Sequence, residues 1–175
     1  TAEAKHIGLR DSNFRNSTGW PDPDHYMTAR DLATLAKRMI DDFPEHFHYY
    51  SELDFTYGRD ERTGKEIKQG NRNPLLYRNT GADGMKTGFV CSSGFNLVAT
   101  ATHDGRRLAA VILGANSGKH RVDLAEMLLT DGFSRGAAPR PKLQSIPNVR
   151  TGEIVPTDMT KQVCKQKPVA LALSR

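Results

Sequence analysis

Between Met85 and Leu113 the sequence has room only for short strands. Met85 to Val90 and Gly94 to Thr102 are apolar-rich segments a few residues apart, and Asp104-Gly105 is the two-residue turn favoured in hairpins. Leu108 to Leu113 follows as an unbroken apolar run, the pattern of a strand covered on both faces. Helical signals flank this block. Thr28 is a candidate N-cap with Asp31 in the first turn. Leu32, Leu35, Ala36, Met39, Ile40 and Phe43 recur at the spacing of one buried helix face, which Pro44 ends. Ser117 caps a last helix predicted to run through Leu129, with Gly132 just past its end. The expected class is therefore α/β, an antiparallel sheet with packed helices.

Two further stretches complete the body. Residues 13–24 are rich in turn formers and read as an ordered loop. Residues 53–80 read as a hairpin: Phe55 and Tyr57 alternate with polar residues, the turn falls near Arg62-Thr63-Gly64, and Ile67 opens the return. Leu75-Leu76-Tyr77 is a short apolar plug after the break at Asn71-Arg72-Asn73-Pro74.

After Phe133 the character changes. Five of the nine prolines lie between Pro139 and Pro168, and no apolar period survives. The net charge of +5 resides here too: from Arg135 onward eight Lys/Arg face only Glu153 and Asp158, so residues 1–134 carry −1. Two units follow, a folded body over 1–134 and a basic linker, or the start of a further module, over 135–175. No aromatic residue interleaves the basic ones, which argues against nucleic acid as a partner. No run approaches the roughly 18 apolar residues of a membrane span. The opening residues lack the pattern of a signal peptide and read as the middle of a helix. A start at Thr1 without methionine fits a position inside a longer gene product. Cys91 and Cys164 have no metal-ligand spacing; composition leaves open whether they pair or stay free.

Lys86-Thr87-Gly88 is the candidate site. A strand can hold an extended peptide by edge pairing, while a lysine supplies fixed charge, a threonine hydroxyl can bond a carboxylate, and a glycine permits close approach. Alone, the triplet is more simply an exposed lysine on an ordinary strand. Its surroundings reverse that. Asn13-Phe14-Arg15-Asn16-Ser17-Thr18-Gly19, His25-Tyr26-Met27-Thr28-Ala29-Arg30-Asp31, Gln69-Gly70-Asn71-Arg72-Asn73, Asp83-Gly84-Met85-Lys86-Thr87-Gly88 and Gly94-Phe95-Asn96-Leu97-Val98-Ala99-Thr100-Ala101 stand in one order. They resemble the motifs N-F-x-N-x-x-G, H-Y-x-T-A-R-D, Q-x-N-R-N, D-G-x-K-T-G and G-Y-N-L-V-A-S-A of the D-alanyl-D-alanine carboxypeptidases, low-molecular-mass penicillin-binding proteins of the serine peptidase class.

The resemblance implies a serine β-lactamase-like or penicillin-binding-protein-like fold, of which this chain is the C-terminal part. It implies an enzyme outside the cytoplasmic membrane, periplasmic in a Gram-negative source. That enzyme removes the terminal D-alanine of peptidoglycan pentapeptides through an acyl-serine, binds β-lactams, and needs no metal or organic cofactor. Lys86 would shape the field at the nucleophile, Thr87 would bind the substrate carboxylate, and Gly88 would leave room for the nucleophile's helix. The N–H of Phe89 would form half of an oxyanion hole. Arg121, near the start of the last helix, would dock the carboxylate.

One departure qualifies this. Neither Ser-x-x-Lys nor Ser-x-Asn, the motifs of the nucleophile and its neighbour, occurs in the chain. Thr34-Leu35-Ala36-Lys37 imitates the first but lies inside an amphipathic helix. The resemblance thus expects an N-terminal half as partner, an inactive chain in its absence, and membrane association only through a C-terminal region beyond it. The rival readings are a β-lactamase and a non-catalytic half that binds peptidoglycan or scaffolds a partner. Glu45, His46 and His48 read as a surface cluster rather than a metal site. His103 is expected in solvent and Trp20 in packing.

Overall fold

Alanines decide how the layers meet. Ala99 and Ala101 on β4 (Gly94–His103) and Ala125 on α3 (Gly118–Ser134) are fully buried, so helix and strand approach with no long side chain between them. The computed structural model describes residues 2–136, 143–145 and 155–164. β4 is the centre of a three-stranded antiparallel sheet, between β3 (Ala82–Val90) and β5 (Arg106–Ala115). Asp104 and Gly105 both take positive φ, 50° and 73°, at the β4–β5 turn, as the Asp-Gly pair predicts. α3 covers one face, where Val122, Ala125 and Leu129 close on Leu97, Ala99, Ala101, Ala110 and Ile112. Full burial of one such branched side chain stabilises by about 1.5–3 kcal/mol.

The opposite face meets α2 (Ala29–Asp42) and a 3₁₀ segment, Pro44–Ser51. Ala36, Phe47 and Met85 form a smaller core there, with Met39, Ile40, Tyr50 and Val98 half-buried around it. Thr28 caps α2, its side chain accepting from the Asp31 N–H. Asp31, only 1% exposed, accepts from the N–H groups of Arg10 and Asp11 at 3.2 and 2.7 Å and from the Ser12 hydroxyl at 2.7 Å. Arg30 pairs with Asp11 at 2.7 Å. The Thr-Ala-Arg-Asp sequence therefore staples the segment after the short helix α1 (Ala2–His6) onto the start of α2.

Several expectations are corrected. The last helix ends at Ser134, not Leu129, so Gly132 lies inside it. A Cβ on Gly132 would stand 2.8 Å from Leu108 Cδ1, so this glycine serves close packing rather than a cap. β5 is covered unequally on its two faces: Ala110 and Ile112 are buried under α3, whereas on the face toward α2 Val111 is half-buried and Leu113 is 44% exposed. The apolar stripe of α2 is incompletely buried, with Leu32 and Leu35 half-exposed and Phe43, past the helix end, 47% exposed. The predicted hairpin forms as β1 (Asp54–Arg59) and β2 (Glu66–Gly70), a separate antiparallel pair with no buried residue. His103 is exposed, as expected, while bonding the Thr80 carbonyl at 2.8 Å and meeting the Phe133 ring edge-on at 4.5 Å.

Cys91 and Cys164 form a disulfide, their Cα atoms 5.7 Å apart. It returns residues 155–164, which include the single helical turn α4 (Thr160–Val163), to the body. Most of the basic residues beyond Arg135 lie outside the described residues.

Candidate active site

β3 is an edge strand: among the described residues it pairs only with β4, in a register that sets Lys86 opposite Val98, Thr87 opposite Leu97 and Gly88 opposite Asn96. Met85 to Cys91 form one wall of a cavity of about 1050 Å³. Leu32, Leu35, Ala36 and Met39 of α2 line it as well, as do His25, Met27 and the loop Ser17–Pro21. This accounts for the incompletely buried stripe of α2, which faces the cavity instead of a packed layer.

The motif asparagines build this arrangement. Asn16 Oδ1 accepts from the N–H groups of Thr18, Gly19 and Trp20 at 3.2, 2.8 and 3.2 Å, and its amide donates to the Trp20 carbonyl. The loop is thereby set, with Trp20 at the cavity and 73% exposed, not packed as the sequence suggested. Asn73, 2% exposed, donates to the Gly84 carbonyl at 3.0 Å and accepts from the Leu75 N–H, fixing the start of β3.

Lys86 is exposed at the cavity, its ammonium donating to the Thr87 carbonyl. Thr87 is half-buried, and Phe89 is 46% exposed and stacks on Phe95 with ring centroids 4.1 Å apart. Arg121 is not among the cavity-lining residues. Its Nη1 donates to the carbonyls of Gly88 and Asn96 at 3.2 and 3.3 Å, and the guanidinium lies 5.7 Å from the Phe95 ring centroid. Burial lowers its pKa from the ordinary arginine value, and its buried Nε has no hydrogen-bond partner among the described residues. Thr34, inside α2, is buried with its hydroxyl donated to the Arg30 carbonyl and does not line the cavity. His25 and Met27, which do, were not singled out as site residues; their only sequence signal was membership of the His25–Asp31 motif. Among the described residues no group of three or more His, Cys, Asp or Glu could hold a metal.

The two motif glycines on β3 differ in surroundings. A Cβ on Gly84 would stand 2.7 Å from Thr100 Oγ1 and 3.3 Å from Tyr50 Cβ, whereas one on Gly88 would meet only Asn96 Cβ at 4.0 Å. Gly84→Ala is therefore expected to destabilise by about 1–3 kcal/mol, the usual cost of overpacking. Gly88→Ala should stay within about 0.5 kcal/mol of the parent. Denaturant titration checks both, and equal losses would refute the distinction.

These features define a penicillin-binding-protein fold with its Lys-Thr-Gly strand on a cavity. Residues 1–117 match the D-alanyl-D-alanine carboxypeptidase family (peptidase S11), and the chain belongs to it. The chain is 42% identical over 131 residues to D-alanyl-D-alanine carboxypeptidase DacC of Escherichia coli (strain K12), covering 74% of this chain and 31% of that relative. Penicillin-binding protein 5 from Haemophilus influenzae superposes with a TM-score of 0.69 at 39% identity, over 76% of this chain and 37% of that one. Penicillin-binding protein D2 from Listeria monocytogenes, in its ampicillin-bound form, gives 0.66 at 27% identity, over 75% and 53%. This chain thus spans about a third of the length of the curated relatives it matches.

Proposed function

We propose that the chain supplies the substrate strand of a serine D-Ala-D-Ala carboxypeptidase, working with the rest of that enzyme. The observation that carries this reading is the edge strand β3, whose Lys86-Thr87-Gly88-Phe89 wall a cavity large enough for a peptide terminus. An extended pentapeptide tail can add to such an edge through main-chain hydrogen bonds. In this reading a serine from the remainder of the enzyme attacks the carbonyl carbon of the penultimate D-alanine. The Phe89 N–H meets the developing oxyanion, and the bond to the terminal D-alanine breaks, releasing that residue. Water then cleaves the ester. Lys86 supplies positive charge on the cavity side and Thr87 bonds the substrate carboxylate. Arg121 adds charge from behind Gly88 while bracing its carbonyl. A β-lactam enters the same place, a reading supported by the ampicillin-bound Listeria relative. The Cys91–Cys164 disulfide supports an oxidising, extracytoplasmic location.

Labelling with a fluorescent penicillin tests the proposal. The complete enzyme should form a stable adduct and release D-alanine from a pentapeptide, and the isolated chain, lacking Ser-x-x-Lys, should take no label. An adduct mapped to any residue of the isolated chain would falsify this division of labour.

A further inference from the structure

We propose that residues Asp158–Cys164 are a strap that positions the substrate strand, so that the acylation rate depends on the Cys91–Cys164 disulfide. The inference rests on the assignment of β3 as the substrate strand.

An edge strand is held by hydrogen bonds on one side only, and its end is the part most free to drift. β3 ends at Val90 and turns back through Cys91–Ser93, closed by the Ser93 N–H on the Val90 carbonyl at 3.2 Å. Two attachments reach this turn from a segment distant in sequence. The Met159 N–H donates to the Ser92 carbonyl at 2.9 Å, and Cys164 is bonded to Cys91 across 73 residues. A third contact lies beside them: the Met159 side chain stands over Gly114, where a Cβ would be 3.8 Å from its Sδ. Gly114 is tied in turn to the base of the same turn, its N–H donating to Asn96 Oδ1 at 2.9 Å while the Asn96 amide donates to the Gly94 carbonyl at 3.0 Å.

The strap has its own internal order. Asp158 accepts from the N–H and hydroxyl of Thr160 at 2.9 and 2.6 Å. The Val163 N–H returns to the Met159 carbonyl at 3.1 Å and the Cys164 N–H to the Thr160 carbonyl at 3.0 Å. That one helical turn fixes the spacing between the hydrogen bond at Ser92 and the disulfide at Cys91. Since Cys91 and Ser93 themselves line the cavity, the fastening sits at the wall where Gly88 and Phe89 must hold their places. Small displacements there are costly: a misplacement of about 1 Å in a catalytic arrangement can cost about 10²-fold in rate. Loss of one of several attachments should cost less.

The test uses the complete enzyme and separates positioning from folding by reading two quantities, the acylation rate constant with a fluorescent penicillin and the labelled fraction at saturation. Oxidised wild type, reduced wild type, Cys91→Ser/Cys164→Ser and Met159→Ala are compared, with thiol state confirmed by alkylation. The expected result is a rate reduced about tenfold, equal in the reduced protein and the double variant. Reductant should have no further effect on that variant, Met159→Ala should fall between, and the labelled fraction should be unchanged throughout. An unchanged rate after verified reduction overturns the strap. A loss confined to the labelled fraction overturns it too, because the disulfide then serves stability alone. If the oxidised wild type takes no label, the functional reading fails first and the strap falls with it.

Discussion

Lys86→Ala in the complete enzyme is expected to slow acylation by penicillin and by D-Ala-D-Ala peptides about 10²–10³-fold, the usual cost of deleting one preorganised electrostatic group. The expectation follows from where the lysine stands and from what it does not do. It is exposed on the cavity wall, its one hydrogen bond runs to the neighbouring Thr87 carbonyl, and no carboxylate pairs with it among the described residues. Nothing in the packing depends on it, so the thermal midpoint should not move. A rate loss accompanied by an equal loss of stability would make Lys86 a structural residue, and near-normal acylation would remove it from the site. Arg121→Ala provides a contrast, because its guanidinium holds the Gly88 carbonyl. Its charge stands behind Gly88 and not in the cavity, so the substitution should depress turnover of free-carboxylate peptides only modestly more than of amidated ones, less than the roughly tenfold of a direct charge-assisted hydrogen bond. Equal losses would leave it as a brace alone.

Asp31→Ala is expected to give the largest loss of stability, about 3–5 kcal/mol, because one side chain serves three donors. The carboxylate lies in a nearly closed position at the first turn of α2 and accepts from Arg10, Asp11 and Ser12. Truncation leaves each of those donors without its acceptor, at about 1–3 kcal/mol for any that water cannot reach, and removes a negative charge from a helix N-terminus. Asp31→Asn keeps one acceptor oxygen and should fall between. Denaturant unfolding at constant m-value decides the matter; a change below about 1 kcal/mol would mean that the segment after α1 contributes nothing to folding through this carboxylate.

The parts of the fold that local chemistry dictates could be read from the sequence. Thr28 starts α2 and Pro44 follows its end because capping and a missing N–H act within a few residues. Asp104-Gly105 defined its turn for the same reason. The Lys-Thr-Gly strand was legible as a motif, and the cavity it lines also includes residues of other motif segments, among them Ser17–Gly19, His25, Met27 and Asn96. What failed was whatever depends on a distant partner. Gly132 has the look of a terminator, and only the position of Leu108 on β5 shows why a side chain is absent there. An apolar run such as Leu108–Leu113 states that a strand wants cover, not how completely each of its faces receives it. The exposure of Trp20 was hidden because its loop is held by Asn16, a local device that fixes the backbone and says nothing of what stands beyond the indole. The position of Arg121 in its helix was legible, but not that its guanidinium would end on the backbone of β3 and β4 instead of in the cavity.

The bond between Cys91 and Cys164 also turns β4, β5 and α3 into one covalent ring. A single peptide-bond cut anywhere between the two cysteines opens that ring without releasing a fragment, so a nicked molecule keeps its full mass until it is reduced. For a loop closed across 73 residues, the loss of chain entropy in the unfolded state amounts to about 4 kcal/mol. That ring encloses the layer that carries the larger core, and it reaches β3 only at the turn where the ring closes.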